Sequence, residues 1–288
     1  MGDYDQMGSE GTPRESRLRG LIIASHFGPT VAVTAITTLL AIEARRGWGS
    51  LAVFAAVFVG QCSVGWSNDY FDAERDRRAQ RVEKPLVRGL LTPLFLRNAA
   101  RAALISAIIL SFLSGWRAAS IHSVALLSAW AYNMRMKTTW LSPLPYALSF
   151  ALLPAFVTLG LPEHPWPQPA AFVAGGLLGL GAHFINTIRD VDADRLTGVT
   201  GFPQRVGPSV SLALGVTFLL GALIMTTALV PRRGVFVPIG IGVSLAADLM
   251  VLVSARQDPS SASWRWTLIS ALACVALFAS SGSALVGH

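Results

Sequence analysis

Asn68, Asp72 and Asp76 stand four residues apart at the end of a long apolar run, and the same skeleton returns as Asn186, Asp190 and Asp194 at the end of another. Four residues on a helix advance about 400°, so each trio falls on one face, one turn apart. Each face presents an amide and two carboxylates in one direction. Two such faces brought together make a pocket of four carboxylates, which suits divalent cations and a ligand that the cations bridge. The donors are all oxygens, with no cysteine or paired histidine beside them, which argues against zinc or copper and for Mg2+. Mg2+ is usually held by one or two carboxylates, with water and phosphate oxygens in the remaining positions. Basic residues flank the motifs: Lys84, Arg88, Arg135, Lys137, Arg189 and Arg195. Together they offer a wall for phosphate oxygens. A diphosphate carried on something greasy is the ligand this chemistry asks for.

Carboxylates near helix ends are ordinarily just solvated. Three features oppose that reading here. The aspartates adjoin apolar runs long enough for a membrane, where an ionised side chain costs on the order of 2–3 kcal/mol at mid-depth. They lie toward helix C-termini, where the macrodipole disfavours negative charge. And the pattern occurs twice, so a compensating cation is the economical account.

The elements that must position these residues are membrane helices. The 288 residues are 52% apolar and 14% charged, with a mean hydropathy of +0.52, outside the range of a soluble domain. Apolar blocks of roughly 20 residues match the thickness of a bilayer core. Candidate spans fall near residues 21–42, 48 into the first motif, 99–115, 118–134, 141–161, 168–188, 208–230, 234–254 and 265–286. The expected fold is all-α: a polytopic bundle of nine transmembrane helices. Residues 1–20 read as a mobile cytoplasmic tail, and 21–288 as a single transmembrane domain. With the N-terminus inside, the external segments hold only Arg45, Arg46, Arg117, Arg232 and Arg233 of the 23 Lys and Arg residues. The positive-inside rule therefore puts the N-terminus and both acidic motifs on the cytoplasmic side of the cell membrane. The net charge of +7 sits in connections and does not alternate with aromatics, so nucleic acid is not an expected partner. Cys62 and Cys274 lie inside apolar runs and read as buried thiols. Gly175 and Gly179 read as a close helix contact without chemistry.

The segment Asn68-Asp69-Tyr70-Phe71-Asp72-Ala73-Glu74-Arg75-Asp76, followed by Arg81, Lys84-Pro85-Leu86 and Gly89, resembles the first signature of the UbiA superfamily of intramembrane prenyltransferases. Asp190-Val191-Asp192-Ala193-Asp194-Arg195, followed by Gly198 and Phe202-Pro203-Gln204-Arg205-Val206-Gly207, is similar to the second, and Tyr132-Asn133-Met134-Arg135-Met136-Lys137 resembles the family's tyrosine loop after the fourth span. The resemblance implies a central cavity open to lipid and capped by cytoplasmic loops. It also implies Mg2+ at both motifs gripping the diphosphate of an isoprenyl donor, which ionises to an allylic carbocation that an aromatic or other small-molecule acceptor captures.

On that reading the catalytic residues and metal ligands are Asp72, Asp76, Asp190 and Asp194, with Asn68 and Asn186 supporting. Lys84, Arg88, Tyr132, Lys137 and Arg195 are the candidate substrate contacts. Asp69 and Asp192 point off the shared face and rank second. His183 is more readily a core histidine than a pocket residue. The chain departs from the family at Val199-Thr200-Gly201, where many members carry a basic residue; Arg195 or Arg205 is the available replacement. Two other readings use the same acids: a terpene cyclase, with Trp66, Phe71, Phe150 and Phe184 steadying the cation, and a cation-coupled transporter.

Overall fold

A computed structural model describes residues 13–188, 194, 198–229, 236–257, 261–279 and 285. Among them the regular structure is helical. The elements are α1 (Pro13–Ala24), α2 (Phe27–Glu43), α3 (Gly49–Arg78), α4 (Pro93–Ser111), α5 (Trp116–Met134), α6 (Pro143–Thr158), α7 (Pro169–Ile188), the short α8 (Phe202–Val206), α9 (Pro208–Leu229), α10 (Phe236–Gln257) and α11 (Ser261–Ala279). Each apolar stretch of the sequence has its helix. Five of the described helices are long and apolar enough to cross a membrane, six if α1 and α2 count as one bent span. α5 and α11 are not among them, and α6 is a shorter apolar helix. Large aliphatic side chains such as Ile105, Ile109, Ile224 and Leu249 are exposed on the outside, as lipid-facing positions are. The chain is an integral membrane protein.

The expected first span is not one rod. Helix begins at Pro13, within the stretch read as tail, and α1 and α2 meet at 62°. The cause is local. Pro29 lacks an N–H and cannot continue a helix, but is tolerated in the first turn of α2. Ser25 and His26 make the break, with His26 in left-handed backbone at φ 51°. Gly65 on α3 leaves room for it: a β-carbon there would lie 2.8 Å from the Ala24 carbonyl oxygen.

α3 is the longest element, with 30 residues, or about 45 Å. About 20 residues suffice to cross the hydrocarbon core, so α3 is longer than a crossing needs, and Asn68 to Asp76 lie toward its C-terminal end. Successive helices pack as neighbours and α11 returns against α2, closing a ring around an interior cavity. α6 and α7 approach closely at the two glycines, where a β-carbon on Gly175 would stand 2.6 Å from the Phe150 carbonyl oxygen and one on Gly179 would run into the Tyr146 backbone.

Candidate active site

The cavity encloses about 770 Å³. One end is polar. Asn68 and Asp72 reach it from α3, Asn186 from the end of α7, Asp194 and Gln204 from the segment before α9, and Tyr132 and Lys137 from the end of α5 and the turn after it. The deeper walls are Val33, Ile36, Ala129, Leu178, Leu268 and Ala271. The two Asn/Asp motifs therefore face each other across one chamber, as far as the described residues extend. Asp190, Arg189 and Arg195 lie outside the described residues. Asp76 does not line the chamber; it is 2% exposed, and its Oδ1 has no hydrogen-bond partner.

Cations neutralise the carboxylates of α3. Lys137 Nζ pairs with Asp72 Oδ1, and Arg75 Nη1 reaches the same oxygen at 3.1 Å. Arg81 Nη1 lies 3.5 Å from Asp76 Oδ1. Burial lowers the pKa of Lys137 from its ordinary value, and Asp72 opposes that shift. Lys84 lines the chamber and donates to Asp69 Oδ1 at 2.7 Å. Arg88 and Arg135 are exposed and take no part in the lining. Arg205 is also exposed, turned back to the Thr200 carbonyl oxygen at 2.6 Å. In the stretch Val199-Thr200-Gly201, Val199 is a buried wall residue. Positive charge on the described lining thus comes from Arg75, Arg81, Lys84 and Lys137.

Amides and aromatics complete the polar end. Asn68 Nδ2 donates to Asn133 Oδ1 at 3.2 Å, and Asn133 Nδ2 donates to Ser67 Oγ at 2.8 Å and the Val64 carbonyl at 2.9 Å. This ties the first motif to the end of α5. Tyr146 hydrogen-bonds Asn186, and its ring meets Tyr132 edge-on with centroids 5.0 Å apart. His183 is 1% exposed, packs 4.9 Å from the Tyr146 ring, and contacts Ser142 Oγ at 3.2 Å. It is not part of the lining. Of the four aromatics considered for steadying a cation, Phe150 lines the chamber. Trp66 donates to the Leu21 carbonyl at 2.9 Å, Phe71 packs on Trp130, and Phe184 is buried against Phe202 and Phe218.

Sequence reasoning passed over His26, Tyr146 and the role of Asp69. The Gly28-Pro29 pair inside an apolar run was the available signal for a break that brings residue 26 to the chamber. Tyr146 carried no signal apart from the fold.

The UbiA prenyltransferase family profile matches residues 27–281. The chain belongs to the UbiA prenyltransferase family. It is 25% identical, over 86% of its own length and 88% of the relative's, to a digeranylgeranylglyceryl phosphate synthase of Natronomonas pharaonis. Among solved structures it is similar to a UbiA homolog from Aeropyrum pernix K1 in the apo state, with a TM-score of 0.69, 19% identity, and coverage of 87% of this chain and 97% of that one. It is also similar to a UbiA homolog from Archaeoglobus fulgidus bound to DMAPP and Mg2+, with a TM-score of 0.67, 15% identity, and coverage of 91% and 98%. The chain is a UbiA-type prenyltransferase, and the fold it shares with these structures is the family's.

Proposed function

We propose that the protein moves an isoprenyl group from a prenyl diphosphate to a small-molecule acceptor, at a Mg2+ site formed by Asn68, Asp72, Asp76, Asn186, Asp190 and Asp194. The observation that carries this is the single chamber whose acidic and basic residues gather at one end of an apolar cavity. Its donor atoms suit the metal: oxygens of carboxylates and amides, one of them, Asp76 Oδ1, buried without a hydrogen bond. Arg81 Nη1 stands 3.5 Å from that oxygen without hydrogen-bonding it, so part of the cost of burying it remains. When bound, Mg2+ supplies positive charge to the departing diphosphate.

The chain's own residues supply the rest. Lys137 and Lys84 stand on the chamber wall paired to aspartates. Metal at Asp72 would free the Lys137 ammonium group for diphosphate oxygens, with Lys84 on the same wall. The C1–O bond of the donor breaks with its electron pair on the diphosphate, so negative charge grows where these cations are fixed. Such groups stabilise the transition state more than the ground state. Tyr132 is positioned by Tyr146 at the same end. The aliphatic walls hold the prenyl chain and keep water from the allylic cation. The structure of the UbiA homolog bound to DMAPP and Mg2+ supports the donor class.

The same reading carries a topology of nine spans, with the N-terminus and the 73–98 segment cytoplasmic and the C-terminus outside. Incubating purified protein with Mg2+ and a panel of prenyl diphosphates, with and without acceptors, and reading products by mass spectrometry tests the activity. A prenylated acceptor is the expected product. Cyclic products from the donor alone would replace this reading with that of a cyclase.

A further inference from the structure

Prenyl transfer to an O–H nucleophile releases a proton that a group on the chamber wall must take, and Asp194 already accepts from Gln204 Nε2 at 2.7 Å. Asp72 is engaged by Lys137 and Arg75. Lysine and arginine on the wall are donors only. Glu83 also touches the chamber, but its side chain is 64% exposed and lies 3.4 Å from Arg81. His26 is the lining residue whose ring nitrogen suits the task.

Its setting is that of an oriented base. His26 occupies the break between α1 and α2 at φ 51°, backbone that few residues other than glycine adopt. Nε2 lies 2.8 Å from Asp69 Oδ1, and Asp69 is 2% exposed. Lys84 donates to the same carboxylate oxygen at 2.7 Å and stands 3.4 Å from Nε2. A carboxylate accepts, so it draws the proton of the neutral imidazole to Nε2 and leaves the lone pair on Nδ1. Nδ1 makes no hydrogen bond to a described residue. With its side chain 39% exposed, the ring can pass a proton to solvent between turnovers. Asp69, off the metal-facing side of α3, thereby has a purpose that its position in the motif did not suggest.

We infer that His26, held by Asp69 as a positioning residue, is the general base that takes the acceptor's proton. The inference rests on the prenyltransferase reading, for an acceptor that carries an O–H group. The donor's C1–O bond breaks with its electron pair on diphosphate, the acceptor oxygen bonds to C1, and the acceptor's O–H proton moves to Nδ1 of His26.

The test uses the full-length protein in detergent with Mg2+ and geranylgeranyl diphosphate, offered a hydroxybenzoate or geranylgeranylglyceryl phosphate as acceptor. His26→Asn tolerates the left-handed backbone but has no basic nitrogen. It should lower kcat for acceptor prenylation by about 10²–10⁴-fold, the usual contribution of a general base, while the donor KM stays within about twofold. Asp69→Asn should move kcat the same way. His26→Gly relieves the backbone and leaves a space, so added imidazole should restore its turnover. Elution volume and Mg2+-dependent donor binding establish that each variant is folded. Unchanged kcat in His26→Asn overturns the proposal. So does a raised donor KM with kcat retained, which would make His26 a diphosphate contact, or a folded His26→Gly that imidazole does not help. A wild-type protein that prenylates no acceptor across the whole panel of donors and acceptors instead sinks the reading of this site, and the base with it.

Discussion

Removing Asp72 should cost both stability and turnover, and the two losses can be separated. In Asp72→Ala, Lys137 loses its partner while only 7% exposed, and Arg75 loses the same oxygen. Stranding one member of a buried ion pair costs about 3–5 kcal/mol. The lower end, about 3 kcal/mol, applies here because the Asp72 side chain is 13% exposed and water in the chamber screens the stranded charge. The shift is on the order of 5–10 °C in Tm for a chain this size, measurable by thermal size-exclusion in detergent. Adding Lys137→Met removes the uncompensated charge and should recover most of that loss. Turnover should not recover: both variants should stay about 10²–10³-fold below wild type, the usual cost of an electrostatic element. The pH dependence has a definite sign. Burial lowers the pKa of Lys137 from its ordinary 10.5, and Asp72 pulls it back up. Without Asp72 the folded-state value falls further, so the unfolded chain binds more protons between that value and 10.5. Stability of Asp72→Ala should therefore rise with pH across that window, and more steeply than that of wild type. A double variant no more stable than Asp72→Ala would refute the pairing argument.

Lys84→Ala should cut turnover by about tenfold or more, since hydrogen bonds to charged groups are worth about 1.5–3 kcal/mol. Arg88→Ala, at an exposed position off the chamber lining, should stay within about twofold; equal losses in steady-state assays would contradict the cavity assignment. Gly179→Leu should force α6 from α7, because a β-carbon there meets the Tyr146 backbone and lies 2.9 Å from Phe150 Cβ; a lower melting temperature and lost turnover are expected, and wild-type values of both would speak against that contact. Cysteines at positions 8 and 287 should label from opposite faces of intact cells. Both native cysteines are buried and free, so background labelling is low, and labelling of both sites from the cytoplasm would rule out nine spans.

Local spacing and hydropathy, which need no tertiary information, made most of the scaffold legible. Apolar blocks located each long helix, although α4 begins at Pro93 and α11 at Ser261, ahead of the expected starts, and the four-residue spacing put Asn68 and Asp72 on one face of α3 because helical periodicity is intrinsic to the chain. Asn186 and Asp194 of the repeated motif line the same chamber as Asn68 and Asp72, whereas Asp76 does not. The Gly175-x3-Gly179 contact followed from small residues on an apolar helix. What remained depends on which distant segments come together. Asp69 ranked low because it points off the metal-facing side of α3, yet that side meets His26, more than forty residues earlier, and Lys84, in the next connection. Arg88 and Lys84 share a basic loop and are indistinguishable by charge; the fold of that loop turns one inward and leaves the other in water. Tyr146 acquires its place through the α6–α7 approach. Periodicity states the direction in which a side chain leaves its own helix, and only the packing of the bundle decides what it finds there.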